Sequence, residues 1–467
     1  MSFYCQELPY HPDAARYYAV IADLPYAAWL DSSGMARFDI LTASPHHMLE
    51  RDDLFAALRS ELGEPVSPVA DIPFAGGALG YWSYDLARRM MKLPNKNAHS
   101  PPEMAIGIYD WALVLDHHKK TVYLVSYRRY AETEQLLKQI LQRLHKSCGA
   151  PSSHAQMEEG REKKEVENPS LRELDVEVPT ETFRVQGKIS CNFTRESYSA
   201  AFAKVQAYLQ AGDCYQVNLA QRFSAHATGD ALGAYLKFRS MSPAPYSAYL
   251  NLPKVQILCA SPERFISVRE GQVETKPIKG TRARGGDPER DHQLAEELSC
   301  DPKDRAENLM IVDLLRNDLG KSCKPGSVHV PELFKVESYS NVHHLVSKVQ
   351  GKLADGVDAL DVLQGCFPGG SITGAPKLRT MQIIAELEPD PRGIYCGTIG
   401  YVGFDGNMDS NIVIRTLVYS AGEVRCWAGG GLVADSQVDA EYQETLDKAS
   451  AMLELLKIYG GELDAAE

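Results

Sequence analysis

The feature of this sequence that most constrains its fold is an irregular alternation of strand-like and helix-like runs, without the regular spacing of βαβ units. Short strand-like runs bounded by glycine turns extend from Tyr26 to Arg129, and the runs at 111–115 and 121–125 are predicted to pair across a short turn. Strands and helices then alternate from about Phe193 onward. Neither GxGxxG nor GxxxxGK[ST] occurs, which disfavours a nucleotide-dependent enzyme.

A polar stretch divides the chain into two parts. The helix-like run at 131–145 is followed by residues 147–180, which carry several prolines and serines and a mixed charge run. Such a composition cannot bury enough apolar surface to order the backbone, so it predicts a flexible linker. We therefore expect a β-rich N-terminal part at 1–146, a linker at 147–180 and a catalytic part at 181–467.

The composition excludes several functional classes. Of the 467 residues, 44% are hydrophobic and 24% are charged, and no apolar run approaches the eighteen or so residues of a membrane span. The net charge of -13 opposes binding to nucleic acid or to an anionic membrane. An anionic substrate would therefore need a local basic pocket, so each interior arginine is informative.

The cysteines and the N-terminus indicate a cellular compartment. The ten cysteines are well separated and form no CxxC pattern, which argues against a zinc site. Residues 1–7 lack the basic and apolar regions of a secretory signal. We therefore expect free thiols in a reducing cytoplasm.

Lys279 carries the strongest chemical signal, because it places an amine between a strand-like segment and a glycine turn. An amine attacks carbon only when it is neutral, and the cations Lys276, Arg282 and Arg284 would favour the neutral form if the fold brings them close. A lysine beside a turn is, however, most often a solvated charge. Lys279 alone therefore does not establish a nucleophile.

Two predicted helices carry carboxylates. Asp301 and Pro302 predict a helix start, and the following residues are apolar around most of the helix, so Glu307 should be buried and should need a cation, a proton or a metal. Asp304 could complement the helix dipole or bind a metal. In the last helix, Glu441, Glu444 and Lys448 share a face, and an exposed ion pair between Glu444 and Lys448 is the structural alternative there.

An anion site is predicted near Arg415. Strand alternation places Arg415 among apolar neighbours in the run 412–418, and a hairpin would return Gly429, Gly430 and Gly431 beside it. Three glycines leave backbone N–H groups uncovered, and arginine binds a carboxylate through two parallel hydrogen bonds. Triple glycine alone is more often only a bend.

Several motifs in the same order resemble those of the chorismate-utilising enzymes. The motifs are Ser-Pro-Glu-Arg-Phe at 261–265, Asp-Arg-Ala-Glu-Asn-Leu-Met at 304–310, Ala-Gly-Gly-Gly at 428–431 and Glu-Tyr-Gln-Glu at 441–444. The resemblance implies an α+β fold in which two large antiparallel β-sheets pack as a sandwich with flanking helices. Both parts of the chain would contribute strands to this shared core.

The resemblance also implies roles for individual residues. Glu263 matches a general acid, although a salt bridge to Arg264 or to another arginine is the structural alternative. His344 matches the histidine near the ring hydroxyl, although a core histidine is the structural alternative. Glu307 and Glu444 match the ligands of Mg²⁺, with Asp304 and Glu441 beside them. The remaining matches are Thr281, Ser371, Tyr395, Arg415, Gly429, Gly430, Gly431 and Lys448 for substrate binding. The segments 30–33 and 243–247, which include Ser32 and Pro243, resemble the two elements of a tryptophan pocket, although both are also ordinary turn sequences.

The lysine in Pro-Ile-Lys-Gly-Thr resembles that of the aminodeoxychorismate synthases, whereas anthranilate synthases typically carry alanine there. Isochorismate synthases place a lysine at the position of Gln216 to activate water, and glutamine cannot act as that base. The resemblance therefore implies addition of Lys279 at C2 of chorismate and amination at C4, leading to para-aminobenzoate and folate. Ammonia would come from a separate glutamine amidotransferase subunit or would be taken up as free ammonia, because no cysteine elbow of such an enzyme is visible. An anthranilate synthase component and a non-catalytic chorismate- or tryptophan-binding homologue are the alternatives.

Overall fold

The structure, a computed structural model, describes residues 3–50, 54–94, 101–148, 182–339 and 342–463. The predicted linker at 147–180 lies outside the described residues except for its first two positions. The described chain forms two large sheets against which helices pack, and this arrangement confirms the predicted α+β fold with two large, almost wholly antiparallel sheets.

The strands take their bounds from the described residues. In chain order they are β1 (Tyr4–Leu8), β2 (Ala28–Asp31), β3 (Phe38–Thr42), β4 (His47–Leu49), β5 (Gly77–Trp82), β6 (Met104–Tyr109), β7 (Ala112–Asp116), β8 (Thr121–Ser126), β9 (Arg184–Cys191), β10 (Gln216–Thr228), β11 (Tyr246–Leu252), β12 (Val255–Ser261), β13 (Arg264–Arg269), β14 (Gln272–Thr275), β15 (Ile278–Ala283), β16 (His329–Ser338), β17 (Val342–Lys352), β18 (Gly374–Ala375), β19 (Thr398–Gly403), β20 (Met408–Asn411), β21 (Thr416–Ser420), β22 (Glu423–Leu432) and β23 (Glu462–Leu463).

The helices lie between these strands. They are α1 (Ala15–Ala19), α2 (Leu54–Leu62), α3 (Tyr84–Met90), α4 (Thr133–Cys148), α5 (Arg195–Gln210), α6 (Leu232–Met241), α7 (Pro288–Cys300), α8 (Pro302–Gly320), α9 (Ala359–Cys366), α10 (Lys377–Leu387) and α11 (Val438–Ile458), with one 3₁₀ turn at Gly370–Ile372. None of the helices in the described ranges is long and apolar enough to cross a membrane.

Strands from both ends of the chain share each sheet. The first sheet has the order β1-β8-β7-β3-β2-β11-β12-β21-β22-β10-β9-β23, with β18 also paired to β10. The second has the order β15-β17-β14-β13-β20-β19-β5-β6-β4, with β16 also paired to β17. Among the strands named above, pairing is antiparallel except between β23 and β9. The predicted hairpin of β7 and β8 is present, with Leu113 opposite Leu124.

The core lies between the two sheets. Ile40 and Ile257 of the first sheet belong to one buried apolar cluster together with Ile106 and Ile266 of the second. Leu41, the neighbour of Ile40, points to the opposite face and joins a separate cluster beneath helices. Each face of the first sheet therefore buries its own set of side chains.

Capping residues mark the starts of two helices, and one of them, α8, contributes to the candidate site. The side chain of Asp301 accepts hydrogen bonds from the backbone N–H groups of Lys303 and Asp304, which satisfies two free donors at the start of α8. Both the cap and the proline that follows it were predicted. The cap of α5 by Thr194 was also predicted, and its hydroxyl accepts from the N–H of Ser197.

Two of the places where the described chain crosses between the sheets lie next to each other. One of these crossovers joins β12 to β13 through residues 262–263, and the other joins β20 to β21 through residues 412–415. The backbone N–H of Ile412 donates to the carbonyl of Glu263 at 3.0 Å, and the N–H of Ala260 donates to the carbonyl of Arg415 at 3.0 Å. Glu263 and Arg415 are thus placed beside each other by the change of sheet.

Candidate functional site

One cavity of about 800 Å³ brings together most of the residues predicted for a site. It lies where β15, β22, α8 and α11 meet the two crossovers. The predicted residues that line it are Glu263, Lys279, Thr281, Asp304, Glu307, His344, Ser371, Tyr395, Arg415, Gly429, Gly431, Glu441, Glu444 and Lys448. Gly430 is not among the lining residues, and a Cβ at that position would lie 3.1 Å from a carboxylate oxygen of Glu441.

Lys279 reaches the cavity because β15 carries an irregularity at this point. Ile278 pairs with Val346 of β17 and Thr281 pairs with His344, so three steps along β15 match two steps along β17. Such a bulge redirects a side chain without ending the strand. The bulge uses the positive φ of Gly280 (+86°), where an added Cβ would lie 2.8 Å from Asp304 Cγ. Glycine therefore lets Lys279 approach α8.

The three cations close to Lys279 in sequence are each paired with a carboxylate, so they do not supply the unpaired positive charge that would favour a neutral amine. Lys276 pairs with Glu337 at 2.7 Å, Arg282 with Asp301 at 2.8 Å, and Arg284 with Asp291 at 2.6 Å. Each of these carboxylates offsets the positive charge of the cation that it contacts.

Carboxylates are the charged neighbours of Lys279. The charge of Lys279 acts on Glu263, Glu307 and Glu444, because it lowers the pKa of each. Among the described residues, the Lys279 amine makes neither a hydrogen bond nor an ion pair within 4.0 Å. The amine is therefore free to contact a ligand.

Glu263 is a buried carboxyl group, with only 8% of its surface exposed. Burial raises its pKa to about 7, although Lys279 and the hydrogen bond from Ser371 oppose the shift. The Ser371 hydroxyl donates to the carboxylate at 2.9 Å. The alternative salt bridge to Arg264 is absent, because Arg264 pairs with Glu274 and Asp409. Glu263 can thus hold or release a proton near neutral pH.

His344 is buried and hydrogen-bonded. Its Nδ1 lies 2.9 Å from the hydroxyl of Thr281 on the neighbouring strand. Burial, together with the charge of Arg415, lowers the pKa of His344 to about 4. The imidazole is therefore neutral at pH 7, and its second ring nitrogen can donate or accept one hydrogen bond with a ligand.

Arg415 lies outside a strand, which corrects the prediction. The chain crosses between the sheets here, so β21 begins only at Thr416, and Arg415 adopts a positive φ of 48°. That backbone conformation is uncommon for a residue with a side chain. Among the described residues, its guanidinium has no hydrogen-bonding or ionic partner, and burial lowers the pKa of Arg415. A partly buried, unpaired arginine favours an anionic ligand.

The glycines lie on the open edge of β22, next to Arg415. The pairing of β21 with β22 ends at Leu417 opposite Cys426, while β10 still pairs with β22 through Gly431. One edge of β22 is therefore without a neighbouring strand beside the cavity. Lys448 donates to the carbonyl of Gly429 at 3.0 Å, which shows that backbone polar groups are accessible from this side.

The ion pair between Glu444 and Lys448 on α11, which was the structural alternative to a functional role, is present. Lys448 and Glu444 lie 2.6 Å apart, with 43% and 47% of their side chains exposed. Burial raises the pKa of Glu444, but Lys448 and the more distant Lys279 and Lys303 outweigh it, so the pKa is lowered overall. Glu441 is more buried, and its carboxylate accepts from the Ser436 hydroxyl at 2.6 Å.

The carboxylates facing the cavity fit a hard cation by chemical type. Burial raises the pKa of Glu307 and of Glu441, and the negative charge of Glu444 adds to both shifts. Burial also raises the pKa of Asp304, which pairs with Arg282 at 3.2 Å. A divalent cation would relieve this repulsion, and Mg²⁺ uses few protein carboxylates. In the described ranges, however, no three such groups lie together at metal-binding separation.

Some residues around the cavity were not predicted. Trp427 lines it and stacks on Tyr395, with ring centroids 6.0 Å apart and planes 6° apart. Asn218 also lines it, and its side-chain oxygen is buried without a hydrogen-bond partner. Lys303 lines the same cavity, one turn of α8 before Glu307, and this spacing is the one sequence signal that could have identified it.

The two segments predicted for a tryptophan pocket meet at a second cavity of about 520 Å³. Asp31 of β2 pairs with Ser247 of β11, and both residues line that cavity. Ser32 and Pro243 do not line it. Ser32 is buried, and its hydroxyl accepts from the N–H of Gly34.

Comparisons of the sequence and of the structure with known proteins find one group of related enzymes. The family of chorismate binding enzymes matches residues 26–454. The chain is 43% identical to aminodeoxychorismate synthase component 1 of Klebsiella aerogenes, over 96% of this chain and 98% of that protein. It is 39% identical to anthranilate synthase component 1 of Bacillus caldotenax, over 84% of this chain and 76% of that protein. Among solved structures, anthranilate synthase component I from Streptococcus pneumoniae superposes with a TM-score of 0.74 at 30% identity, over 89% of this chain and 92% of that chain.

Proposed function

The chain belongs to the chorismate binding enzyme family, which confirms the resemblance of its motifs, and we propose that it catalyses the amination of chorismate at C4. The product is 4-amino-4-deoxychorismate, a precursor of para-aminobenzoate and folate. Relatives 43% identical over nearly the whole chain are named aminodeoxychorismate synthase component 1, which supports this assignment.

The observation that carries the proposal is the position of the Lys279 amine. It lies in the same cavity as Glu263 and Arg415, and in the described chain it has no partner. In the first step this amine, when neutral, attacks C2 of chorismate. The ring double bonds shift, the bond from C4 to its hydroxyl breaks, and Glu263 gives its proton to the departing water.

The second step restores the enzyme. Ammonia attacks C4, the double bonds shift back, and the bond between C2 and the lysine nitrogen breaks. Glu263 regains a proton from the ammonium group formed at C4, so one chorismate and one ammonia give one aminodeoxychorismate and one water. The pKa of about 7 for Glu263 suits a group that must both give and recover a proton near neutral pH.

The remaining cavity residues suit a dicarboxylate substrate. Arg415 and the open edge at Gly429 and Gly431 bind one carboxylate, while Thr281 and the neutral His344 lie within reach of the ring. Glu307 and Glu444, with Asp304 and Glu441 nearby, would hold Mg²⁺. When bound, the ion would supply positive charge for the second carboxylate of the substrate.

The nitrogen source is proposed to be a second protein. The relatives are named component 1, which implies at least one further component. We assign to it a glutamine amidotransferase activity that delivers ammonia to the cavity, in the cytoplasm. At high ammonium concentration the chain should act without this partner.

Incubation with chorismate, Mg²⁺ and ammonium tests the proposal by product. Formation of 4-amino-4-deoxychorismate is expected, and Lys279→Ala should abolish it. Anthranilate synthase relatives make anthranilate formation the second candidate, and anthranilate as the product would overturn the assignment to C4. Binding of chorismate without any product would indicate a non-catalytic homologue.

A further inference from the structure

We infer that Arg392, which does not line the cavity, is a positioning residue for the proposed general acid, because it holds the backbone on either side of the cavity wall and thereby keeps Ser371 against Glu263. This inference rests on the proposed function for the role of Glu263.

Arg392 is a buried cation, with 1% of its surface exposed, and each of its three nitrogens donates at least one hydrogen bond. Its Nε and Nη2 atoms donate to the two oxygens of Glu388 at 2.9 and 2.7 Å. Its Nη1 donates to the carbonyl of Ile372 at 3.0 Å, and Nη2 also donates to the carbonyl of Asn218 at 2.8 Å. A buried charge with this many hydrogen bonds is costly to disturb, because the carbonyl groups of Ile372 and Asn218 would lose this donor.

The two carbonyl groups belong to elements that form the cavity. Ile372 ends the 3₁₀ turn that carries Ser371, whose hydroxyl donates to Glu263 at 2.9 Å. Asn218 lies on β10, directly opposite Gly431 of β22. Glu388 contacts the same strand, since it accepts the backbone N–H of Ala220 at 2.9 Å.

Aromatic contacts extend from Arg392 to a third wall of the cavity. Its guanidinium carbon lies 5.7 Å from the ring centre of Tyr395, which stacks on Trp427. On the other side it lies 4.9 Å from the ring centre of Tyr84. The N–H of Tyr84 donates to the carbonyl of Gly393, so α3 of the N-terminal part holds the segment that carries Arg392.

Arginine is required here because of its geometry. The planar guanidinium reaches a carboxylate and two carbonyl groups at once, whereas a lysine ammonium cannot satisfy all of them from one position. Arg392→Lys therefore keeps the charge but releases the carbonyl of Ile372. The turn then no longer holds Ser371 in hydrogen-bonding distance of Glu263.

The pH profile separates this role from a merely structural one. The groups that act on Glu263 are Lys279 from β15, the hydroxyl of Ser371 and Lys448 from α11. Only Ser371 is connected to Arg392 by the contacts above. Loss of its hydrogen bond removes one influence that lowers the pKa of Glu263, so the alkaline limb of the rate profile should move to higher pH.

The experiment measures kcat against pH, with ammonium as nitrogen donor, for the wild type, Ser371→Ala, Arg392→Lys and the double variant. Both single variants should move the alkaline limb upward by roughly half a pH unit to one unit, and the double variant should move it no further. Arg264→Lys is the matched control, since Arg264 is also paired with carboxylates but has no contact with Ser371. It should lower stability without moving the limb.

An equal loss of rate at every pH in Arg392→Lys, or a shift that adds to that of Ser371→Ala, would overturn the inference. If Arg392→Lys does not fold, Glu388→Gln weakens the same contacts at constant volume and is interpreted in the same way. Failure of the wild type to aminate C4 overturns the proposed function instead. The alkaline limb of the pH–rate profile can still be measured with whichever product forms. Failure of the inference about Arg392 can therefore be distinguished from failure of the proposed function.

Discussion

Glu444 and Lys448 form an ion pair of 2.6 Å at the mouth of the cavity, so a carboxylate proposed to hold Mg²⁺ already has a cation beside it. Both side chains are more than 40% exposed, which makes the pair weak and easily separated. Lys448 would then be free to contact a substrate carboxylate when the ion arrives at Glu444.

Lys448→Met should therefore change the apparent constants for Mg²⁺ and for chorismate in opposite directions. The Mg²⁺ concentration for half-maximal activation should fall by about 2- to 5-fold, because removal of an exposed ion-pair partner changes binding by up to about 1 kcal/mol. The KM for chorismate should rise, because one cation that contacts the substrate is lost. Steady-state titrations of Mg²⁺ and of chorismate measure the two effects, with Lys457→Met of the same helix as a control that changes neither. A parallel rise in both constants would contradict the account.

The rate should depend on the protonation of Glu263. Its protonated form is active in the first step, so kcat/KM should fall as pH rises through about 7, where the pKa of this carboxyl lies. Glu263→Gln keeps the volume but cannot donate the proton, and it should lower kcat by about 10²- to 10⁴-fold. A pH–rate profile of the wild type and a single-point rate for the variant are sufficient. A wild-type profile without a limb near neutral pH would exclude this assignment of the acid.

The same carboxyl group should couple stability to pH. Its pKa is raised from 4.5 to about 7, so the folded protein binds more protons than the unfolded chain between these values. The favourable contribution is fully present below about pH 4.5 and is lost as pH rises through about 7. Relative to the wild type, Glu263→Gln should thus be more stable at pH 8 than at pH 5, by about 1–3 kcal/mol. Urea denaturation at the two pH values measures the difference, and equal effects at both would disprove the coupling.

Arg415 should lower the free energy of unfolding of the ligand-free protein and should increase its affinity for the substrate. Arg415→Met removes a partly buried, unpaired cation, so the free energy of unfolding without ligand should increase by about 1 kcal/mol. The KM for chorismate should rise by about 10- to 100-fold, because a charged hydrogen bond to the substrate contributes about 1.5–3 kcal/mol. Thermal unfolding with and without chorismate, together with initial rates, tests both effects. A destabilised variant with unchanged KM would show that the arginine is structural.

The sequence predicted the elements whose signals are local. Thr194 and Asp301 cap helices as expected, because a cap needs only the residues of one turn. The family motifs also identified residues that the fold brings together over long separations, such as Lys279 and Glu444.

Predictions from the sequence failed where contacts between distant parts of the chain determine the position of a residue. Arg415 was expected in a strand, but the chain changes sheets there, and apolar alternation cannot indicate a change of sheet. The cations near Lys279 in sequence find carboxylates from other elements, such as Glu337. Arg392 was overlooked because its acceptors are carbonyl groups, which every residue provides and no sequence pattern marks.

Covalent attachment of chorismate to Lys279 is the central claim, and mass spectrometry of the peptides of the quenched protein tests it most directly. The wild type is mixed with chorismate and Mg²⁺ without ammonium, quenched in acid and digested. The account predicts a peptide containing Lys279 that is heavier by the mass of chorismate less one water, and it predicts that this species is absent from Lys279→Ala and disappears when ammonium is added before the quench. A wild type that forms 4-amino-4-deoxychorismate without this species, together with a Lys279→Ala variant that keeps the full rate, would contradict it.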